Sequence, residues 1–295
     1  MTRAPGGGRV LLVTGCATGI GQATAVRAAA AGWRVIASLR DLRRADALLT
    51  EADRAGVRVD VLELDVTDAD SVADCFAALG ERHGRLDAVV NNAGISNFDP
   101  TVEMSTLDAL RRALEVNFVG MVAVSRLAMP LLRAAGGRLV AIGSVHGVVG
   151  QPFNEAYAAA KGATELFLES LAPVAAVHGV TVSVVVPGFV ADTEFGRFPD
   201  INRTTIQAAS GPYAPTFAEY FRWVREQGWE GAAQSRWEVA DIVVDTLADD
   251  RPPFRVPTSG WVRDYLATKL ADVEGSTIQA LARSWVGAAE PAPVR

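Results

Sequence analysis

Several residue types are scarce in this chain, and each scarcity excludes something. Among 295 residues there are two cysteines, Cys16 and Cys75. Two cannot build a disulfide framework, so buried thiols in a reducing compartment are expected. Basic residues do not dominate: 28 Lys and Arg face 34 Asp and Glu, for a net charge of −6. No broad basic face is available, which argues against nucleic acid as a partner. Nowhere does an uninterrupted apolar run approach the ~20 residues of a membrane span. Residues 1–8 are rich in Pro and Gly and lack the apolar run of a signal peptide. No membrane span and a cytoplasmic location are therefore expected. Lysine itself is rare, with Lys161 and Lys269 standing among 26 arginines. A lysine that persists against such a bias suggests a place where arginine will not serve.

What is present is a large apolar fraction, 49% of residues, with 21% charged. That is ample for a core and too apolar for disorder. Short apolar runs alternate with longer amphipathic ones. Strands are expected at 10–13, 35–38, 59–64, 88–90, 139–142 and 182–186. Helices are expected at 19–31, 42–55, 69–82, about 106–134 and about 155–177. This alternation implies α/β architecture, a Rossmann-type, doubly wound parallel sheet with helices on both faces. Strands made almost wholly of Val, Leu and Ile fit burial on both sides.

The rhythm breaks at Phe189. Ten of the 21 aromatic residues fall between Phe189 and Trp237. A helix then resumes at 238–247, a last strand is expected at 254–257, and a C-terminal helix at 262–286. We read one domain over 1–295: a core at 9–188, an aromatic-rich insertion at 189–237, and closing elements at 238–286. The insertion is either a helical hairpin packed on its own aromatics or a lid over an apolar substrate, and the two are compatible.

The run Thr14-Gly15-Cys16-Ala17-Thr18-Gly19-Ile20-Gly21 joins the first strand to the first helix. Gly15, Gly19 and Gly21 let the turn tighten and let backbone N–H groups approach a pyrophosphate at a helix N-terminus. At the end of the second strand, where an acid would bind both ribose hydroxyls of NAD, stands Leu39, followed by Arg40. A guanidinium matches a 2′-phosphate by charge and shape, which favours NADP(H). Asp41 reads as the N-cap of the next helix, and Arg43 and Arg44 as solvated. Asp65, at the end of the third strand, either accepts from an adenine amino group or serves a turn; Asp68 is the better cap.

Tyr157 and Lys161 are one helical turn apart and share a face. An ammonium near a phenol favours the phenolate and lowers its pKa from ~10. Ser144, just past the strand at 139–142, is placed to hydrogen-bond a substrate carbonyl. Each of these is ordinary alone. Taken together, the run Thr14–Gly21, Asn91-Asn92-Ala93-Gly94, Asn117, Ser144, Tyr157-x-x-x-Lys161 and Pro187-Gly188 resemble the short-chain dehydrogenase/reductase family over about residues 9–190.

That resemblance implies a tetrad. Asn117 would hold a water on a proton relay, Ser144 would orient the substrate oxygen, and Tyr157 would exchange the proton. Lys161 would bind the nicotinamide ribose and tune Tyr157. Cofactor contacts would come from Gly15, Thr18, Gly19, Ile20 and Gly21 in the first turn. Arg40, Asp65 and Val66 would follow on the adenosine side, with Asn91, Ala93 and Gly94 next. Pro187, Gly188, Val190 and Thr193 would complete the set beside Tyr157 and Lys161, Thr193 touching the carboxamide. No metal is implied. A closer likeness, carried by Thr14–Cys16, Ser38–Leu42 and Gly150–Tyr157, is to the 17β-hydroxysteroid dehydrogenase type 1 and retinol dehydrogenase subgroup. It implies NADP(H), a small lipophilic substrate and a homodimer or homotetramer paired through the helices at 106–134 and 155–177. His146, Phe153 and Phe189 are the candidates for substrate contact. His146 is equally an ordinary loop residue, and Pro173 is expected to kink or shorten its helix. Other readings are a ketoreductase of polyketide or acyl substrates and a non-catalytic dinucleotide-binding sensor. The likeness fades after about residue 195, where the substrate would be chosen.

Overall fold

The structure, a computed structural model, describes residues 8–96, 98–228, 232–285 and 287. Seven parallel strands form one sheet in the order β3-β2-β1-β4-β5-β6-β7. They are β1 (Val10–Val13), β2 (Arg34–Leu39), β3 (Asp60–Glu63), β4 (Ala88–Asn91), β5 (Arg138–Ile142), β6 (Thr181–Val186) and β7 (Arg255–Pro257). The order reverses between β1 and β4, which opens a crevice at their carboxyl ends.

Because successive side chains point to opposite faces, β1 feeds two cores. Val10 and Leu12 join one, with residues of α3 (Ala69–His83), α4 (Leu107–Ala135) and α5 (Glu155–Val177). Leu11 and Val13 join the other, beneath α1 (Gly19–Ala30), α2 (Asp46–Arg54) and α8 (Arg236–Ala248). All four β1 residues are fully buried.

The insertion after Phe189 folds as α6 (Glu194–Ala209) and α7 (Ala214–Trp223). Its Phe217, Tyr220 and Phe221 pack with Phe98, Phe153 and Trp285 into a third apolar cluster. Trp285 comes from the C-terminal part of the chain, so the cluster is built from four separate segments. Trp229 of the aromatic-rich segment lies outside the described residues.

Four elements differ from those expected of the sequence. The helix expected from Leu42 begins as a 3-10 turn, Leu42–Arg44, and becomes α-helical at Asp46. Asp41 caps that first turn, its Oδ1 accepting from Arg43 N at 3.0 Å. Within α4 the residues Glu115–Val119 form a π-helical turn. Pro173 does not end α5, which runs on to Val177. The expected C-terminal helix is two, α9 (Gly260–Leu270) and α10 (Ser276–Trp285), parted near Gly275 at φ +78°. Val286 lies outside the described residues.

Among the described residues α4 is long and apolar enough, by length and composition, to cross a membrane, with a window mean hydropathy of 1.4. Here it packs against α3, β4 and β5. Cys16 and Cys75 are both buried free thiols, and burial raises the pKa of each.

The edge strand β7 is tied to α5 by an ion pair, Arg255 Nε to Glu165 Oε1 at 2.6 Å, with the glutamate side chain only 7% exposed. Removing one partner of such a pair leaves the other poorly solvated. Glu165→Ala should therefore lower unfolding stability by about 2 kcal/mol, read as a reduced urea midpoint with an unchanged m-value.

Candidate active site

A cavity of about 1480 Å³ opens at the carboxyl ends of the strands. Small-ligand pockets are commonly ~300–1,000 Å³, so this one has room for a dinucleotide and a substrate together. One end is lined by the first glycine turn and by Arg40 and Arg44; the other by Phe98, Val116, Tyr220, Phe221 and Val224.

The glycine turn is shaped by close approach. Gly15 has φ +72°, and a Cβ there would stand 2.8 Å from Ala93 Cα. A Cβ on Gly21 would collide with the Asn92 side chain and the Gly15 carbonyl. Thr18 N-caps α1 in extended conformation, yet its side chain makes no capping bond. The first-turn N–H groups therefore lack a side-chain cap and face the cavity wall at Gly19 and Ile20. Such a cradle fits an anionic pyrophosphate. Gly21 supports the wall from behind.

Opposite lies the Asn91–Gly94 segment. Asn91 stands apart from the cavity: it is buried, and its Nδ2 donates to Ser125 Oγ at 3.0 Å. The wall is made instead by Asn92, Ala93 and Gly94. The Asn92 amide donates to the carbonyls of Thr14 at 2.8 Å and Gly15 at 3.1 Å. Asn91, expected at the cofactor site, is the last residue of β4, and its neighbour Asn92 takes the place on the wall.

Arg40 is exposed and lines the cavity. Arg43 is turned away, its guanidinium paired with both carboxylate oxygens of Asp41 at 2.9 Å. Arg44 also lines the cavity and meets Glu194 at 3.4 Å across the opening; the sequence reading had set it aside as solvated. Asp65 and Val66 are on the wall, and Asp65 Oδ1 accepts from the N–H and hydroxyl of Thr67, a turn role. Asp68 caps α3 through Asp70 N and Ser71 N. Pro187, Gly188, Phe189 and Val190 continue the lining. Thr193 is there too, but its hydroxyl donates to Val190 O and accepts from Gly196 N, both at 2.9 Å, as the cap of α6.

Ser144, Tyr157 and Lys161 meet on the cavity floor. Ser144 follows β5; Tyr157 and Lys161 lie in the first two turns of α5. The Lys161 ammonium donates to the Ile142 carbonyl at 2.8 Å and sits 5.9 Å from the centre of the Tyr157 ring. Asn117 lies behind the cavity wall in the π turn. Its amide exchanges bonds with the backbone of Ile95 at 3.1 and 3.2 Å and donates to Ala113 O at 3.0 Å. Its own carbonyl accepts from Thr164 Oγ1 at 3.1 Å. Phe153 is not on the wall; it packs against Phe217 inside the cap with φ +59°. His146 is on the wall beside Ser144.

Electrostatics differ from the sequence expectation at one point. Burial raises the Tyr157 pKa, opposed by the hydrogen bond from Ser144. Lys161 is itself buried, and burial lowers its pKa from 10.5 to about 8. Tyr157 is thus a neutral phenol at physiological pH, a group with a proton to give. Among the described residues no cluster of His, Cys, Asp and Glu could hold a metal ion.

The short chain dehydrogenase family description matches residues 9–200, and the chain belongs to that family of oxidoreductases acting on alcohols and ketones. It is 34% identical to bovine retinol dehydrogenase 8 over 283 residues, covering 91% of this chain and 87% of that one. It is likewise 34% identical to human 17-beta-hydroxysteroid dehydrogenase type 1 over 282 residues, covering 90% and 82%. Among solved structures it is similar to actinorhodin polyketide ketoreductase with NADPH, with a TM-score of 0.74, 27% identity and coverage of 86% and 97%.

Lys161 generates a prediction about stability. A depressed folded-state pKa means the unfolded chain binds more protons between about pH 8 and 10.5, so stability rises with pH across that window. The cost of burying the ammonium is fully present below about pH 8. Lys161→Met should therefore melt higher than wild type at pH 7, by about 3 °C, with the gap closing towards pH 10. Differential scanning calorimetry over that range checks both the sign and the window.

Proposed function

We propose that this protein is an NADP(H)-dependent oxidoreductase that interconverts a secondary alcohol and a ketone, or an alcohol and an aldehyde, on a bulky lipophilic substrate of steroid or retinoid type. The observation that carries this reading is the cavity's polarity. A glycine cradle and arginines occupy one end, an aromatic wall the other, and Ser144 with Tyr157 the floor between.

A bound nicotinamide cofactor supplies the hydride for such a reaction. The chain's own residues do the rest. Ser144 orients the substrate oxygen. Tyr157, kept a phenol by burial, donates the proton at its Oη. Lys161, fixed by the Ile142 carbonyl, would hold the ribose of a bound cofactor through its ammonium. Asn117 holds the Ile95 loop against α4. The names of the two relatives support an alcohol on a retinoid or steroid frame. Tyr157→Phe should retain NADPH binding and lower the reduction of retinal or estrone at least about a thousandfold, measured as NADPH consumption; wild-type turnover in that variant would refute the mechanism.

The choice of Arg40 for a 2′-phosphate is supported by its place on the cavity wall, with Arg43 occupied by Asp41 and Arg44 meeting Glu194. Arg40→Asp should shift the NADPH/NADH ratio of kcat/KM towards NADH by about a hundredfold. An unchanged ratio counts against this choice of cofactor.

A second reading, reduction of a polyketide or acyl substrate, is favoured by Arg112 and Arg225, which also line the cavity. They suit a substrate whose tail is anionic. Association into a homodimer or homotetramer is supported by exposed apolar side chains on the two long helices, Val119 on α4 and Leu166, Phe167, Val174 and Val177 on α5.

A further inference from the structure

Asn154 is a polar residue of the cavity that the reaction as described does not use. It is 6% exposed, lines the cavity and stands at the N-cap of α5. Tyr157 follows three residues later, about one helical turn on, and lines the same cavity. Asparagine is among the best N-cap residues, because its side-chain oxygen can accept from the free N–H groups of the first turn. Here it makes no capping bond. The side chain is fixed by its other end, Nδ2 donating to the Pro152 carbonyl at 2.9 Å. That bond settles which way the amide faces, since only the nitrogen can donate.

The amide oxygen is left over. Oδ1 has no hydrogen-bond partner among the described residues, yet it is not one of the orphaned polar atoms sealed inside the core. It is open to the cavity. Gln151, the neighbouring amide on the same wall, is the contrast. Its Nε2 donates to Tyr265 Oη at 3.0 Å and its Oε1 accepts from Tyr220 Oη at 3.2 Å, so the cap occupies both ends. The cap also sets the approach to Asn154. Phe153 has φ +59°, a conformation that bulky side chains rarely adopt, and its ring packs against Phe217 at 5.2 Å and Tyr220 at 5.8 Å. The chain enters α5 from that turn with Asn154 at φ −128° and ψ 21°, outside the extended region from which N-caps reach their helix. The fold thereby keeps this oxygen off the helix and on the cavity wall.

We propose that Asn154 is a specificity-determining residue: its Oδ1 accepts a hydrogen bond from a hydroxyl or N–H group that the substrate carries beside the reacting carbonyl. The preferred substrate is then a bulky ketone with a donor on the adjoining carbon, an α-hydroxy ketone being the simplest case. A ketone without that donor leaves a buried acceptor unpaired, which a site of this kind disfavours. The placing of the reacting carbonyl at Ser144 and Tyr157 rests on the function proposed above; the free oxygen does not.

The test uses the full chain, NADPH and matched ketones: estrone against its 16α- and 16β-hydroxy derivatives, and 1-tetralone against 2-hydroxy- and 2-methoxy-1-tetralone. In the wild type, 2-hydroxy-1-tetralone and one of the two steroid epimers should exceed their parent ketones in kcat/KM by at least about fivefold. The methoxy ketone, which has the oxygen but no hydrogen to give, should rank with 1-tetralone. Two variants then separate the acceptor from the fold. Asn154→Leu and Asn154→Asp both lose the bond to Pro152, but only aspartate keeps an oxygen that can accept. The hydroxy-to-parent ratio should fall to about one in Asn154→Leu and persist in Asn154→Asp. A ratio near one in the wild type, a ratio unchanged in Asn154→Leu, or a ratio lost alike in both variants overturns the proposal. Turnover of all the ketones without discrimination sinks this inference alone; turnover of none of them sinks the function proposed above as well.

Discussion

A reciprocal set of hydrogen bonds between two neighbouring strand ends holds the site together. Thr14 Oγ1, just past β1, accepts from the backbone N–H groups of Asn92 and Ala93, both at 3.0 Å. Asn92, just past β4, answers by donating to the Thr14 and Gly15 carbonyls. Thr14 is 1% exposed, so these bonds are made away from competing water. They span the place where the strand order reverses, between β1 and β4. The glycine turn hangs from one side of this clasp and the Ala93–Ile95 loop from the other. Gly94 brings that loop so close to α4 that a Cβ would stand 2.6 Å from Asn117 Oδ1.

From the clasp outward, the site is an arrangement of buried polar groups whose partners are mostly backbone. Lys161 is satisfied by Ile142 O, Asn117 by Ile95 and Ala113, and Thr193 by Val190 and Gly196. Backbone partners are fixed by the fold, so these side chains do not depend on one another's rotamers. Ser144 with His146, and Gln151 with Tyr220 and Tyr265, are different, because side chains bond to side chains there. Rigid parts serve the cofactor end, and the more interdependent part serves the end where substrates differ.

The α/β core was legible because it is made by local rules. Val10–Val13 is apolar on both faces and occurs as a strand, as does the Val-rich Thr181–Val186; Asp68 and Asp41 cap where their positions said they would. The close association of Ser144, Tyr157 and Lys161 followed from one helical turn and one strand end. What escaped was whatever depends on contacts between distant segments. Nothing near Gln151 announces Tyr220 or Tyr265, which lie 69 and 114 residues on. Phe153 looked like a substrate contact by its place before Tyr157, yet Phe217 and Tyr220 claim it for the cap. Burial, which raises the pKa of Tyr157 and lowers that of Lys161, is likewise not written in their one-turn spacing.

The π turn at Glu115–Val119 has a consequence for how this chain tolerates change in length. A π turn holds one residue more than the α-helical turn it replaces. Each residue in a helix advances the facing direction by about 100°, so the two halves of α4 follow apolar stripes that are out of phase. Asn117 occupies the junction, and the downstream half keeps Met121, Val124, Ala128 and Leu132 against the sheet. Removing one residue here would give a more regular helix and a worse protein, because the second half would turn its apolar stripe away from β4 and β5. The irregularity therefore works as a phase adjuster between the loop that faces the cavity and the core beneath it.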